Sequence, residues 1–392
     1  MYDLQNFTNI ELALAGGFVG FFLIHILFLL VVYMRPYRKL RRKKEIPNTN
    51  PPVSIIVYAN NDSENLSLHL PFLLTQDYPQ YEVIVVNDGL VSEIEDVLKL
   101  LVTKHKNLYH TYIPDESKYL SRRKLALTVG IKAAKYDVLL FTEADCKPAS
   151  SKWIESMMSN YDEQTEVVLG FCSYGSHKGF FHKMVAYDNL VCGLQCLSSA
   201  LAHSPYTGNG RNMSYRKEQF FKHKGYSRSL TIHAGDDDLF INEITNRKNT
   251  RVEYSSGSVM ERAKIESYSI WKEMKVSRAG TRRFYKGGAL FRYRFASAIF
   301  FLFMILGASV AYFGAIGGNT ILIGVSVLLY LLHFMTKAII FNKSARMLNQ
   351  KPLTMWLPLM EIIMPIYNIY ASIYRSLRGK NDYTFTMNHI KR

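Results

Sequence analysis

The chain has 392 residues, with 48 Lys and Arg against 32 Asp and Glu, a formal charge of +16. That length argues against one small core and for two or three structural units. A basic excess suits nucleic acid, anionic lipid or a phosphorylated substrate, and its placement argues against nucleic acid. Arg35, Arg38, Lys39, Arg41, Arg42, Lys43 and Lys44 follow one long apolar stretch, and Arg278, Arg282, Arg283, Lys286, Arg292 and Arg294 precede another. This is the positive-inside pattern of a membrane protein.

In chain order, residues 12–34 form an apolar stretch long enough to span a bilayer, interrupted only by His25. Its basic residues come after the apolar core, which predicts a retained anchor with its N-terminus outside and not a cleaved signal peptide. Residues 45–52 read as a polar, Pro-containing linker. Residues 53–58 suit a short buried strand, 66–76 a helix ended by Asp77-Tyr78-Pro79, and 81–86 a second strand stopped by Asn87-Asp88-Gly89. A helix over 94–105, a strand over 108–113, a helix over 122–134 and a strand over 138–141 follow. Strands alternating with helices predict an α/β fold with a parallel, doubly wound sheet. Ligands of such sheets bind beyond the carboxyl ends of the strands, where Asp88, Glu143 and Asp145 fall.

A helix near 153–161, a strand near 167–171 and a helix around 183–202 lead to the polar loop Thr207-Gly208-Asn209-Gly210-Arg211-Asn212. His233-Ala234-Gly235-Asp236-Asp237-Asp238 then opens a further helix. Residues 265–286 are basic and aromatic with helical spacing, which suits a segment lying on a membrane surface. Two more spans, 295–316 and 321–341, form a hairpin across Gly-Gly-Asn-Thr. Residues 353–374 contain Pro358, Glu361 and Pro365, and stay open between a third span and a re-entrant segment. The four cysteines, Cys146, Cys172, Cys192 and Cys196, have no CxxC spacing, and a basic flank places the central domain in the reducing cytoplasm. Neither a disulfide nor a structural zinc is expected.

Glu143 and Asp145 are two apart at a strand end, so extended chain projects both carboxylates to one side. Such a pair suits Mg²⁺ or Mn²⁺ bridging diphosphate oxygens, and equally suits solvated loop acids. Asp88 can accept from a nucleobase N–H or simply shape a turn with Asn87 and Gly89. One Asp caps a helix, but Asp236, Asp237 and Asp238 repel one another unless something cationic or catalytic uses them. A general base for a sugar hydroxyl is the sharper reading. Lys124 can reach phosphate, and Asn209, Arg211 and Asn212 can line substrate.

These pieces in this order resemble family 2 glycosyltransferases. They are Pro52-Val53-Ser54-Ile55-Ile56-Val57, Leu74-Thr75-Gln76-Asp77-Tyr78-Pro79, Val85-Val86-Asn87-Asp88-Gly89, Lys124 with Ala126-Leu127, and Phe141-Thr142-Glu143-Ala144-Asp145. Residues 208–215 and Gly235-Asp236-Asp237-Asp238-Leu239 complete the set. The resemblance implies a GT-A fold, Rossmann-like with a doubly wound mixed sheet, in a cytoplasmic domain flanked by transmembrane helices of the inner membrane. It implies that Asp88, with Asn87 and Lys124, binds the donor, a UDP-sugar being expected. Glu143 and Asp145 resemble the DxD metal motif, with Asp145 the firmer ligand. Asp236 resembles the general base, followed by the acids Asp237 and Asp238, and Asn209, Arg211 and Asn212 resemble an acceptor or substrate loop. Asn87 and Glu143 each replace a usual Asp. The QxxRW motif of processive synthases would fall on Met274, Ser277 and Arg278, and none matches.

The expected activity is therefore inverting, non-processive transfer of one sugar to a sugar or lipid-linked acceptor at the cytoplasmic membrane face, with Mg²⁺ or Mn²⁺ and without nucleic acid. A processive polysaccharide synthase and a catalytically inactive nucleotide-sugar-binding scaffold remain the alternatives. The expected organisation is an anchor at 1–34, a basic linker at 35–51, a glycosyltransferase domain at 52–256 and an amphipathic surface segment at 257–294. A transmembrane hairpin with a third segment at 295–376 and a polar tail at 377–392 complete it.

Overall fold

The computed structural model describes residues 9–40, 50–60, 62–89, 91–113, 121–230 and 232–378. Residues 41–44 of the basic run, most of the linker and nearly all of the polar tail lie outside these.

Helix α1, Asn9–Phe28, is apolar apart from Asn9, Glu11 and His25 and continues through one π-helical turn, Leu29–Tyr33, into α2, Arg35–Leu40. The wide turn has a local cause. Pro36 has no N–H to offer and its ring crowds the carbonyl of Val32, so a regular α-helix cannot pass this point. Met34 N–H instead reaches back five residues to Leu29 O at 3.1 Å. The Val32 carbonyl accepts from Ser198 Oγ at 2.5 Å, and Arg35 donates to Ser198 O at 2.9 Å.

The central unit then builds a sheet. Strand β1, Val53–Ala59, precedes α3, Ser63–Leu74; β2, Tyr81–Asn87, precedes α4, Val91–Lys104; β3, Leu108–Tyr112, precedes α5, Arg122–Ala133. Strand β4, Val138–Glu143, turns through Ala144 and Asp145 into β5, Cys146–Pro148, followed by α6, Trp153–Met158. Next come β6, Val167–Leu169, β7, Cys172–Tyr174, α7, Phe180–Leu201, β8, Met213–Arg216, α8, Lys217–Lys222, and α9, Asp238–Ile244. The remainder comprises β9, Thr250–Val252, β10, Met260–Arg262, α10, Tyr268–Arg282, α11, Ala289–Ile316, α12, Thr320–Met347, and α13, Leu357–Leu377.

Seven strands form one mixed sheet in the order β3-β2-β1-β4-β8-β6-β9, in which β8 runs antiparallel to β4 and β6. The doubly wound expectation thus gains a single antiparallel strand, β8, in an otherwise parallel sheet. Both faces are covered, so the strands are apolar at nearly every position. Val53, Ile55, Val57, Val83, Val85, Val138 and Leu140 pack on one face, and Ile56, Ile84, Val86, Leu139 and Phe141 on the other. The register pairs Tyr58 with Glu143 and Ala59 with Asn87, so the polar residues ending β1, β2 and β4 arrive at one level. A second, three-stranded sheet, β5-β10-β7, sets Arg262 opposite Cys146, beside Asp145.

Among the described residues, three helices are long and apolar enough to cross a membrane: Ile10–Leu40, Ala289–Ile316 and Thr320–Met347. α1, α11 and α12 pack through Phe18, Phe22, Phe300, Phe303 and Leu322. Inside this apolar bundle, His25 Nδ1 lies 2.8 Å from His333 Nε2. Beside them Lys337 pairs with Glu361 of α13, and its Nζ lies 3.2 Å from Tyr187 Oη of α7. α13 runs chiefly along α10, with Trp271 stacked on Tyr367 at 4.8 Å. It leaves Leu359, Ile362, Ile366, Ile369 and Ile373 exposed. α10 lies within the 265–286 segment and has Trp271, Lys275, Val276 and Thr281 buried.

Gly130 lets α5 press onto the sheet: a Cβ there would meet Ile56 Cγ2 and Val86 Cγ2, each at 2.9 Å. Gly130→Ala should therefore cost about 1–3 kcal/mol by overpacking. A lowered midpoint in thermal unfolding of the purified chain checks this, and an unchanged midpoint would show that α5 can lift without penalty.

Candidate active site

The carboxyl ends of β1, β2 and β4 form a rim of acids held by arginines. Asp88, just past β2, is buried and accepts from Tyr58 Oη and Arg122 Nε, each at 2.7 Å. Asn87 supports this corner without facing ligand space: its Oδ1 accepts the Gly89 N–H at 3.0 Å. Glu143 ends β4, and its two oxygens accept from Arg123 Nη2 at 2.7 Å and Arg211 Nη2 at 2.5 Å. Asp145 accepts from Arg262 Nε at 2.8 Å, and its other oxygen lies 3.6 Å from Arg211 Nε. Burial works to raise the Asp145 carboxyl, but Arg262 and Arg211 outweigh it and hold the group well below the usual carboxylate range. Arg211 thus bridges the two acids, across a turn at Ala144 and Asp145 rather than the extended chain expected of them.

The three consecutive aspartates do three different things. Gly235 adopts φ +98°, a backbone conformation that favours glycine, and so turns the chain into the rim just before them. Asp236 is buried and accepts from Arg123 Nε at 2.6 Å. Burial opposes its ionisation, but Arg123 prevails and lowers its pKa. Asp237 caps α9 by accepting the Asp238 N–H at 2.6 Å, and also accepts the Gly210 N–H at 3.1 Å. Burial, then its neighbours Asp236 and Asp238, push its carboxyl up to about 6. Asp238 accepts from Thr281 Oγ1 at 2.5 Å and Tyr285 Oη at 2.7 Å, fastening α9 to the end of α10.

Arg123 joins the parts. It touches Glu143 and Asp236 at once and lies over the Tyr58 ring, 4.6 Å from its centroid. A cavity of about 180 Å³ opens here, lined by Arg123, Glu143, Arg211 and Asp236 to Asp238 on the sheet side and by α10 and the end of α13 opposite. Met274, Ser277 and Arg278, the positions compared with QxxRW, lie on that opposite wall. Asp88 and Asp145 sit behind the cavity lining, and Glu143 faces it.

Two expected ligand residues lie elsewhere. Lys124 is buried, and its Nζ donates to Ser229 O, Ser229 Oγ and Ile232 O, which takes up all three donors of an ammonium. Burial pushes its pKa down to about 8. The sequence left phosphate contact and a solvated helix position both open, and Ser229 and Ile232 instead take up the ammonium. Asn212 is fully buried: its amide donates to Phe171 O and Ser258 O and accepts from Trp153 Nε1. It pins three segments together and does not reach the cavity. Asn209 folds its own loop by accepting the Arg211 N–H at 3.2 Å. Sequence reading missed Arg123, Arg262 and Tyr58. Arg123 was visible only as one of three bases opening a helix, and Arg262 depends on strand pairing across 117 residues.

Glu143 and Asp145 fit a hard divalent cation in kind. Their donors are all carboxylate oxygen, which suits Mg²⁺ or Mn²⁺. Arg211 Nε beside Asp145 is buried without a hydrogen bond, so the guanidinium bridge does not fully engage that oxygen.

A mixed α/β sheet with an acid- and arginine-lined cavity at its strand ends defines a glycosyltransferase-like fold. It is shared with the mannosyltransferase PcManGT of Pyrobaculum calidifontis, solved with GDP-Man and Mn²⁺, at TM-score 0.54 and 17% identity over 86% of this chain and 97% of that one. The sequence matches the profile of glycosyl transferase family 21 over residues 20–378, and the chain belongs to that family. The resemblance read from motifs named family 2; the matched family is family 21, and the glycosyltransferase assignment is common to both. Glycosyltransferase AglE of Haloferax volcanii is 31% identical over 116 residues, which are 29% of this chain. The chain spans about a third, 36%, of that curated relative. Residues 1–349 of Staphylococcus aureus TarS align at TM-score 0.40 and 15% identity over 83% of this chain and 92% of that one, too distant to argue from.

Asp237 yields a prediction. A carboxyl raised from 3.8 to about 6 in the folded chain contributes stability that is full below the lower value and is lost as pH rises through the higher one. Asp237→Asn should flatten the fall in melting temperature across that window, read from thermal unfolding at stepped pH. An unchanged slope would assign the window to other groups.

Proposed function

We propose that this chain is an inverting, non-processive glycosyltransferase of GT-A type. It moves one sugar from a nucleotide-sugar donor to a hydroxyl of a lipid-linked acceptor at the cytoplasmic face of the cell's inner membrane. The observation that carries the reading is Arg123, which holds Asp236 and Glu143 against one cavity although they are 93 positions apart in the chain. A helix cap or a solvated loop acid needs no such bridge. Family 21 membership, the shared fold and the GDP-Man named with the Pyrobaculum enzyme support it.

In this reading Asp88 receives the donor base at the end of β2. Arg211, and Arg123 once the donor displaces part of its pairing, attract the diphosphate. Glu143 and Asp145 would hold Mg²⁺ or Mn²⁺, which when bound neutralises charge on the leaving nucleoside diphosphate. Asp236 accepts the proton of the attacking hydroxyl, and Arg123 keeps its carboxylate ionised and oriented until then. Asp238 fixes α10 as the opposite wall, so donor and acceptor meet at a set separation, which contributes to rate through orientation. The departure from QxxRW at Met274, Ser277 and Arg278, on the cavity wall itself, favours single addition over polymerisation. The spans Ile10–Leu40, Ala289–Ile316 and Thr320–Met347 would anchor the unit, with the basic flanks inside.

Asp236→Asn should lower turnover about 10²–10⁴-fold while donor affinity is kept. Nucleoside diphosphate release from a panel of UDP- and GDP-sugars measures this, and near-normal turnover would remove Asp236 as the base. Asp145→Ala should abolish Mn²⁺-dependent nucleotide-sugar binding by calorimetry; equal binding with and without the ion would refute the metal role.

A further inference from the structure

A second cavity, of about 50 Å³, lies behind the first, between α7, the 206–209 loop and α10. Arg278 lines both cavities, and Arg282, one turn further along α10, lines the second. These two guanidiniums differ from those at the rim. Arg122, Arg123, Arg211 and Arg262 each pair with a carboxylate. Among the described residues Arg278 and Arg282 have no carboxylate at ion-pair distance, and the side chain of Arg282 reaches only Cys192 Sγ, at 3.8 Å. Asp188, the nearby acid of α7, is already paired with Lys275 at 2.7 Å. Cations in partly buried positions are ordinarily matched by a counter-charge. Asp237 and Asp238 act on Arg278, and Asp188 on Arg282, only from beyond ion-pair distance. Two arginines on one helix face, sharing a cavity and touching no carboxylate, leave their guanidinium donors open to an anion that binds from outside.

The surroundings say which side of the reaction that anion comes from. The second cavity contains none of Asp88, Glu143 or Asp145, so it lies away from the donor acids. Its wall includes Tyr206 and Tyr285, and Tyr206 packs on Tyr293 near the start of the apolar helix α11. Thr207 and Asn209 add polar groups at its mouth. We infer that Arg278 and Arg282 form the phosphate subsite of a lipid-phosphate acceptor, whose chain runs towards α11 and whose reacting end points to Asp236. This rests on the glycosyl-transfer reading above and names the class of its acceptor. Arginine suits the task because its fork matches phosphate oxygens in two-point contact.

Full-length protein in detergent micelles can be titrated with farnesyl phosphate, farnesol and inorganic phosphate, following the shift in melting temperature. Farnesyl phosphate should bind at least about tenfold more tightly than farnesol, as expected for a charge-assisted contact. Arg282→Gln should erase that difference, Arg282→Lys should restore part of it, and both variants should still bind nucleotide-sugar. Inorganic phosphate should compete only at far higher concentration. The inference fails if alcohol and phosphate bind alike, if Arg282→Gln binds farnesyl phosphate as wild type does, or if inorganic phosphate competes as well as the lipid. It fails equally if nucleotide-sugar displaces farnesyl phosphate, which would assign the arginines to the donor. Nucleoside diphosphate release by the wild-type chain, measured separately, tests glycosyl transfer itself, so the two failures are distinguishable.

Discussion

Charge neutralisation at the strand ends is the constraint on which the rest of the site depends. Six acids, Asp88, Glu143, Asp145 and Asp236 to Asp238, converge on one side of the sheet. Left alone they would repel one another and lose hydration, each a cost of several kcal/mol in partly buried surroundings. Arg122, Arg123, Arg211 and Arg262 meet four of them directly, and they come from three places: the start of α5, the loop before β8, and β10. The sheet register, the packing of α5 at Gly130 and the pairing of β10 with β5 all serve to deliver these cations. Asp145 and Asp236 are held ionised by their arginines before any ligand arrives, and a site arranged in advance has little to reorganise during reaction.

The sheet was largely legible in the sequence because its strands are buried on both faces. Residues 53–58, 81–86 and 138–141 are nearly unbroken runs of branched and aliphatic side chains, and the turn residues that stop β2 fall where the rim begins. β5, β7, β9 and β10 carry no such signal, since three-residue strands are too short for a period to show. Their pairing alone places Arg262 on Asp145, so that contact was hidden. Local chemistry also misled in two places. Lys124 and Asn212 are polar residues in ligand-like settings, yet tertiary packing set Ser229 and Ile232 against one and folded Trp153, Phe171 and Ser258 around the other.

α10 shows the same limit on a larger scale. Its mixture of Trp, Tyr, Lys and Arg has the composition of a surface-seeking helix, and composition does not reveal that α13 will cover it. α13 buries Leu357, Met360, Met364 and Ala371 at helical spacing while its exposed side is equally apolar. A helix apolar on both sides reads from sequence as a span, and only the partner on one face distinguishes the cases. The aspartate triplet was the most informative segment, because its excess over one capping residue already required a second explanation. The structure divides it into an ion-paired acid, a cap and a latch.

The polar knot inside the helical bundle has a mechanical meaning. His25, His333, Lys337, Glu361 and Tyr187 come from α1, α12, α13 and α7, and each satisfies another in apolar surroundings. Sliding or turning any of these helices by a single residue would strand a charge or an imidazole among hydrocarbon. The bundle therefore cannot settle by degrees; it is keyed to one register against α7, the same helix that holds the Pro36 turn. A unit keyed in this way works as a spacer, holding the acid- and arginine-lined rim at one fixed distance from the apolar helices.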